Sequence, residues 1–160
     1  MDEYPLIKVK GGKIRRNNTV WRGKKAVEKL QELVKTYEMV YALDLDGYKR
    51  NEPNLELYKK VRGSVWVDAF PRYVEDVMDI IVSGVERLTV WVMEERHLAE
   101  LRDMCESEIF LRDDDAKNAA RKAREYRFRG VILESGQPSG NTVEMWKIDT
   151  DAEVVRRVKK

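Results

Sequence analysis

Short apolar runs alternate with stretches of helical spacing along nearly the whole chain. "PLIKV" precedes a two-glycine turn and "KIRR", which predicts a small hairpin. In "GKKAVEKLQELVKTY" the residues Ala26, Val27, Leu30, Leu33, Val34 and Tyr37 recur at the 3.6-residue period of a helix. "MVYALDL" then predicts a strand, and "NLELYKKV" a short helix opened by Pro53 and Asn54. Three further pairs follow: "SVWVDAF" with "RYVEDVMDIIVSG", "RLTVWVM" with "EERHLAELRDMC", and "SEIFL" with "DDDAKNAARKAREYRFRG". A sixth strand, "VILES", leads into the turn-rich "GQPSGN".

Successive strand-helix units imply parallel strands joined by right-handed crossovers. The expected fold is therefore α/β, a (β/α) barrel-like parallel sheet of about six strands in a single domain over residues 1–160. It is expected to be incomplete, because a full barrel takes about 250 residues. "TVEMWKI" follows "VILES" too closely for a crossover helix and is expected to run antiparallel or lie outside the sheet. "DTDAEVVRRVKK" predicts a last helix capped by Thr150 or Asp151. An open sheet leaves two bare edges. Met145 and Trp146 also have opposite parities, so one of them would need a partner elsewhere, and a homodimer is expected with residues 141–148 at its interface.

Residues two apart in a strand share a face, and the aliphatic set is expected to face the surrounding helices. This rule turns Lys8 inward, along with Ala42, Asp44 and Asp46. It also turns inward Trp66 with Asp68, Thr89 with Trp91, Phe110 with Arg112, and Ile132 with Glu134. Lys8, Asp44, Asp68, Arg112 and Glu134 then gather at the carboxyl ends of the strands, with Asp46 and Asp113 at the rim. Three carboxylates facing two cations shift one another's acidity, as acid/base chemistry requires and as a structural ion-pair plug also does.

Charge adds a second constraint. The 31 lysines and arginines nearly cancel the 29 acidic residues, so the net charge of +2 argues against a nucleic-acid partner, although "VVRRVKK" is locally basic. Cys105, the single cysteine, closes an amphipathic helix and is expected to be an inert, partly buried thiol in a reducing, cytoplasmic setting. The lone His97 leaves no set of zinc ligands, and although the carboxylates would suit magnesium, no metal or cofactor is expected. No apolar run reaches the roughly 20 residues of a membrane span.

The segments "PLIKVKGGKIRR", "VYALDLDGYKRNEPNLELYKKV" and "VWVDAFPRYVEDVMDIIVSGVERLTV" resemble the phosphoribosylformimino-aminoimidazole-carboxamide ribotide isomerase (ProFAR isomerase) family of histidine biosynthesis and its archaeal relatives. "DLDG" followed by "NLEL" is the most specific part. The resemblance implies (β/α) barrel ancestry and an ancestral sugar-phosphate isomerisation. Its catalytic aspartates are matched here by Lys8 and Arg112, with Asp113 one residue away. "DAFPR" replaces its phosphate loop and leaves only Arg72 as a ligand-binding remnant. Histidine-pathway isomerase activity is therefore not expected. The expected function is to bind or convert a small polar anionic metabolite, a phosphorylated one included, at the carboxyl ends of the strands. The alternative is a non-catalytic truncated barrel that serves assembly or partner binding.

Overall fold

The computed structural model describes residues 2–134, 136–137 and 143–158. The chain begins with β1 (Glu3–Lys10), β2 (Lys13–Arg16) and β3 (Thr19–Trp21), followed by α1 (Lys24–Tyr37). Next come β4 (Met39–Asp44), α2 (Leu45–Arg50), α3 (Leu55–Lys59), β5 (Ser64–Asp68), α4 (Val74–Val82), β6 (Arg87–Trp91) and α5 (Glu95–Met104). The last elements are β7 (Glu108–Arg112), α6 (Ala116–Glu125), β8 (Gly130–Leu133), β9 (Glu144–Asp149) and β10 (Val154–Arg157).

The expected open sheet of six parallel strands does not form. Eight strands close into a barrel in the order β10-β9-β8-β7-β6-β5-β4-β1, and β10 returns to pair with β1. Neighbours from β1 through β4 to β9 are parallel, whereas β10 is antiparallel to both β9 and β1. The barrel is thus mixed and closed, and is not a (β/α)8 barrel; β2 and β3 are two extra strands on β1.

Two expectations about the C-terminal region fail for related reasons. β9 is parallel to β8 although no crossover helix is described between them. β8 ends at Leu133 and β9 begins only at Glu144. Ten residues reach about 33 Å when extended, more than enough to run back along a strand of four residues. The expected "GQPSGN" loop falls mostly outside the described residues. The expected final helix is instead a tight turn and β10, because a gap one strand wide between β9 and β1 offers its backbone two ladders of hydrogen bonds.

Closure produces two cores. Leu6, Tyr41, Trp66, Phe110, Trp146 and Val155 are among the side chains that fill the barrel. Trp66 lies at its centre, with ring centroids 4.5 Å from Phe110, 5.1 Å from Tyr41 and 5.4 Å from Trp146. The second core, between barrel and helices, includes Val40, Ala42, Val67, Leu88 and Leu111. Met145 belongs to this outer core and Trp146 to the inner one, so both are buried within their own chain. The homodimer expected from open edges and an unpartnered side chain therefore loses both of its premises. Cys105 is a free, buried thiol at the end of α5.

β1 serves two neighbours on one side. Its first half, Glu3–Pro5, pairs with β10, and its last residues, Lys8–Lys10, pair with β2. β2 therefore leaves the barrel wall at the carboxyl end of β1 and, with β3, forms a three-stranded ribbon. The buried face of this ribbon carries Val9, Ile14 and Trp21. Asn17 and Asn18 turn its tip with positive φ, as a two-residue hairpin turn requires. Glu153 anchors the tip: its carboxylate accepts from Asn17 N at 2.9 Å and its carbonyl from Arg16.

Candidate functional site

Three sets of polar side chains meet at the carboxyl end of the parallel strands, and the sequence-predicted residues other than Arg72 and Asp113 are divided among them.

The first set plugs the barrel from within. Fully buried Asp68, at the end of β5, accepts from Tyr41 at 2.6 Å, Tyr48 at 2.6 Å and Arg112 at 2.8 Å. Arg112 also donates to Glu134 at 2.7 Å and to Tyr48 at 3.0 Å, and lies 4.7 Å over the Trp91 ring. Thr89 joins the layer to the apolar interior, in contact with the Tyr41 hydroxyl at 3.0 Å and accepting from Trp66 Nε1 at 3.0 Å. Asp68, Arg112 and Glu134 thus come together as their inward parity predicts. Burial pushes the Asp68 carboxyl above the ordinary range, while Arg112 and the two tyrosines oppose that shift. Burial, with the Asp68 charge behind it, raises both Tyr41 and Tyr48, which stay protonated donors. Burial alone would lower Arg112, but Asp68 and the tyrosines outweigh it, and the cation is held more firmly than in water. Each charge here is answered inside the barrel, which is how a buried ion pair avoids an unpaired charge.

The second set is a clamp outside the barrel. Asp44 does not point inward: β4 turns Tyr41 into the barrel and Ala42 toward the helices, the reverse of the expected assignment. The carboxylate of Asp44 caps α2 by accepting from Gly47 N at 3.0 Å, and also accepts from Asn54 N at 2.8 Å, Asn54 Nδ2 at 3.0 Å and Tyr58 Oη at 2.5 Å. Asp46, on α2, accepts from Gly11 N at 2.6 Å, Arg50 at 2.6 Å and Asn54 Nδ2 at 3.0 Å. The Gly11 amide, burial notwithstanding, is the main reason its acidity is strengthened to a pKa of about 2. Asn54 also accepts from Gly12 N at 2.7 Å, so the two carboxylates and Asn54 hold the β1–β2 turn against α2 and α3. With four donors on Asp44 and three on Asp46, these carboxylates are occupied by the fold.

The remaining predicted residues lie apart from both sets. Arg72 donates to the Gly47 carbonyl, to Tyr48 O at 2.6 Å and to Phe70 O at 3.0 Å, and lies 4.6 Å over the Phe70 ring. Its guanidinium therefore pins α2 to the loop after β5. Asp113 accepts from Asn118 Nδ2 at 2.9 Å beside the start of α6. Parity missed Tyr48, because "DGYKR" reads as loop; it also left out Arg87, which is aligned with Thr89 and Trp91 and lies over Trp66 and Phe110 at the amino end of the barrel.

The third set is the solvent face of the ribbon, and of the predicted residues it takes only Lys8. Lys8 stands opposite Arg15 and Lys10 opposite Lys13 in the β1–β2 register. With Arg22 beyond β3 and Arg50 on α2, these side chains line a cleft of about 500 Å³, completed by Gly11, Ile14, Val20 and Leu45. Arg50 is paired with Asp46 at 2.6 Å. Among the described residues, Lys8, Lys10, Lys13, Arg15 and Arg22 take part in no ion pair. Directly opposed like charges weaken a strand pair, so this face presents a charge that the chain itself leaves unanswered.

Among the described residues no group of His, Cys, Asp and Glu is arranged to hold a metal ion. No helix of the described residues is long and apolar enough to cross a membrane. No protein-family model matches the chain, and no curated protein matches it. Nothing therefore links the chain to ProFAR isomerase or to histidine biosynthesis, and the closed mixed barrel departs from the fold that the resemblance implied.

Proposed function

We propose that this protein binds small phosphate-bearing anions in the cationic cleft between the β1–β2–β3 ribbon and α2, at the carboxyl ends of β1 and β4. The observation that carries this reading is the pairing of Lys8 with Arg15 and Lys10 with Lys13, with no acidic side chain in the lining. An anion seated between these pairs turns their mutual repulsion into attraction, and the ribbon needs no rearrangement to receive it because both ends of β2 are tied down. The Asp46 clamp fixes the Gly11 turn, and Glu153 fixes the tip. A cleft of about 500 Å³ falls within the range of small-ligand sites.

Binding is favoured over conversion by the state of the acids. Asp44, Asp46 and Asp68 each accept at least three hydrogen bonds, which leaves them poorly placed to take a proton from a ligand. Thermal unfolding in orthophosphate, pyrophosphate and chloride at matched ionic strength tests the reading, since a ligand of the native state raises its stability by mass action. Both phosphates are expected to raise Tm above chloride, and the advantage is expected to vanish in the Lys10→Gln/Lys13→Gln double variant. Equal melting in the three salts would overturn it.

A further inference from the structure

Taking the ribbon cleft as an anion site, a step that rests on the reading above, we propose that its occupant is the phosphodiester backbone of a single nucleic-acid strand, bound without regard to base sequence. The near-neutral net charge conceals the segment responsible. From Lys8 to Lys25 the chain has eight lysines and arginines, at positions 8, 10, 13, 15, 16, 22, 24 and 25, and no acidic residue. The acids that balance the total lie elsewhere.

Three properties of the cleft favour a polymer over a compact metabolite. Its lining side chains are cationic or apolar; no hydroxyl, amide or carboxylate is present to read a sugar or a base. Contacts of that kind position a nucleic-acid backbone but carry no sequence information. The cations also stand in rows. Same-face residues along a strand are about 6.6 Å apart, close to the length of one nucleotide in an extended strand. Lys8 with Lys10 and Arg15 with Lys13 form two such rows side by side, and Arg22 extends the face past Val20. Finally, the cleft is walled on its other side by α2, and its volume suits a nucleotide or two of one strand. No aromatic side chain lines it, so stacking adds little and the affinity is electrostatic.

Fluorescence anisotropy with short labelled oligothymidylate and oligoadenylate, single-stranded and annealed, tests this on the whole protein. The single strands are expected to bind with similar affinity to each other and more tightly than the duplex, and binding should weaken steeply as salt is raised. Lys10→Gln/Lys13→Gln is expected to weaken binding at least tenfold at low salt. It should also reduce the salt slope by about 1.4, since each phosphate contact on a single strand contributes about 0.7. Lys35→Gln/Lys117→Gln removes the same charge from outside the cleft and is expected to change affinity less than twofold. Circular dichroism confirms that each variant folds. No binding of any oligonucleotide at low salt, equal losses in the two double variants, or tighter binding of duplex would each overturn the proposal. Failure here with phosphate stabilisation retained would leave the small-anion reading standing, and loss of both would remove both.

Discussion

Arg112 and Lys10 stand at the same end of one barrel under opposite electrostatic conditions. Arg112, nearly buried, is surrounded by Asp68, Glu134, Tyr48 and the Trp91 ring. Lys10 is exposed and faces Lys13 across a strand pair, with no carboxylate as partner among the described residues. The difference follows from solvent. Inside the barrel an unanswered charge costs several kcal/mol, so each one there has partners. On the ribbon, water and salt screen the repulsion and the chain tolerates it. A charged cluster whose members satisfy one another is thus evidence of architecture, whereas charge left unsatisfied at an anchored surface points outward to a ligand.

The largest expected effect is at the interior network. Asp68→Ala leaves Arg112 with one carboxylate and removes the carboxylate acceptor of two tyrosine hydroxyls, and is expected to cost about 3 to 5 kcal/mol, on a par with truncating a central aromatic such as Trp66. Urea unfolding of Asp68→Ala beside Trp66→Ala measures this. A cost below 1 kcal/mol would mean that the interior cluster is wet and adaptable, and the contrast with the ribbon would fail.

Asp44→Ala comes next. It removes the cap of α2 and takes the acceptor from Gly47 N, Asn54 N and the Tyr58 hydroxyl, the first and last of these bonds buried, for an expected loss of about 2 to 3 kcal/mol. Its neighbour Asp46 can be tested by pH without mutation. The folded pKa of about 2 lies below the ordinary 3.8, so its contribution is present above about pH 4 and is lost as pH falls toward 2. Acid unfolding of Asp46→Asn is expected to be shallower than wild type across that window; identical profiles would show that the clamp does not depend on its charge.

The smallest effect has the opposite sign. At low salt, Lys10→Gln/Lys13→Gln is expected to raise stability by about 0.5 to 1 kcal/mol by relieving one like-charge pair, and added salt should shrink the gain. A destabilised double variant would show that these lysines contribute to the fold.

Much of this arrangement was legible in the residues. The inward rule placed Asp68, Arg112 and Glu134 correctly, because their strands alternate between aliphatic and bulky or polar residues in one register only; Lys8 shares the parity of Leu6 but stands beyond the barrel, on the solvent face of the ribbon. It failed on β4, where Tyr41, Leu43 and Leu45 look like an outward aliphatic set. The barrel interior instead takes the large Tyr41 ring, whose hydroxyl has Asp68 to bond, and the close helix contact takes Ala42. Helix α2 was illegible for a similar reason. "LDGYKR" has weak helical pattern, and it becomes a helix because Asp44 caps it and Gly47 lets it lie on Ala69, where a Cβ would come within 2.4 Å of the Ala69 carbonyl oxygen.

By itself the sequence determined the alternation of strands and helices through the middle of the chain, the parallel run from β4 to β8, the two faces of most strands and the acid-free segment at the start. These are local properties, carried by periodicities of 2 and 3.6 residues and by composition. The tertiary structure alone decided that the sheet closes, that "VVRR" is a strand, that β9 runs parallel, and which charges are answered. A short apolar run is compatible with either helix or strand until a neighbouring edge offers hydrogen bonds. The edge that captures β10 is made by β1, nearly the whole chain away in sequence, and the partners of Asp68 and Lys10 are likewise set by segments that meet only once the barrel has closed.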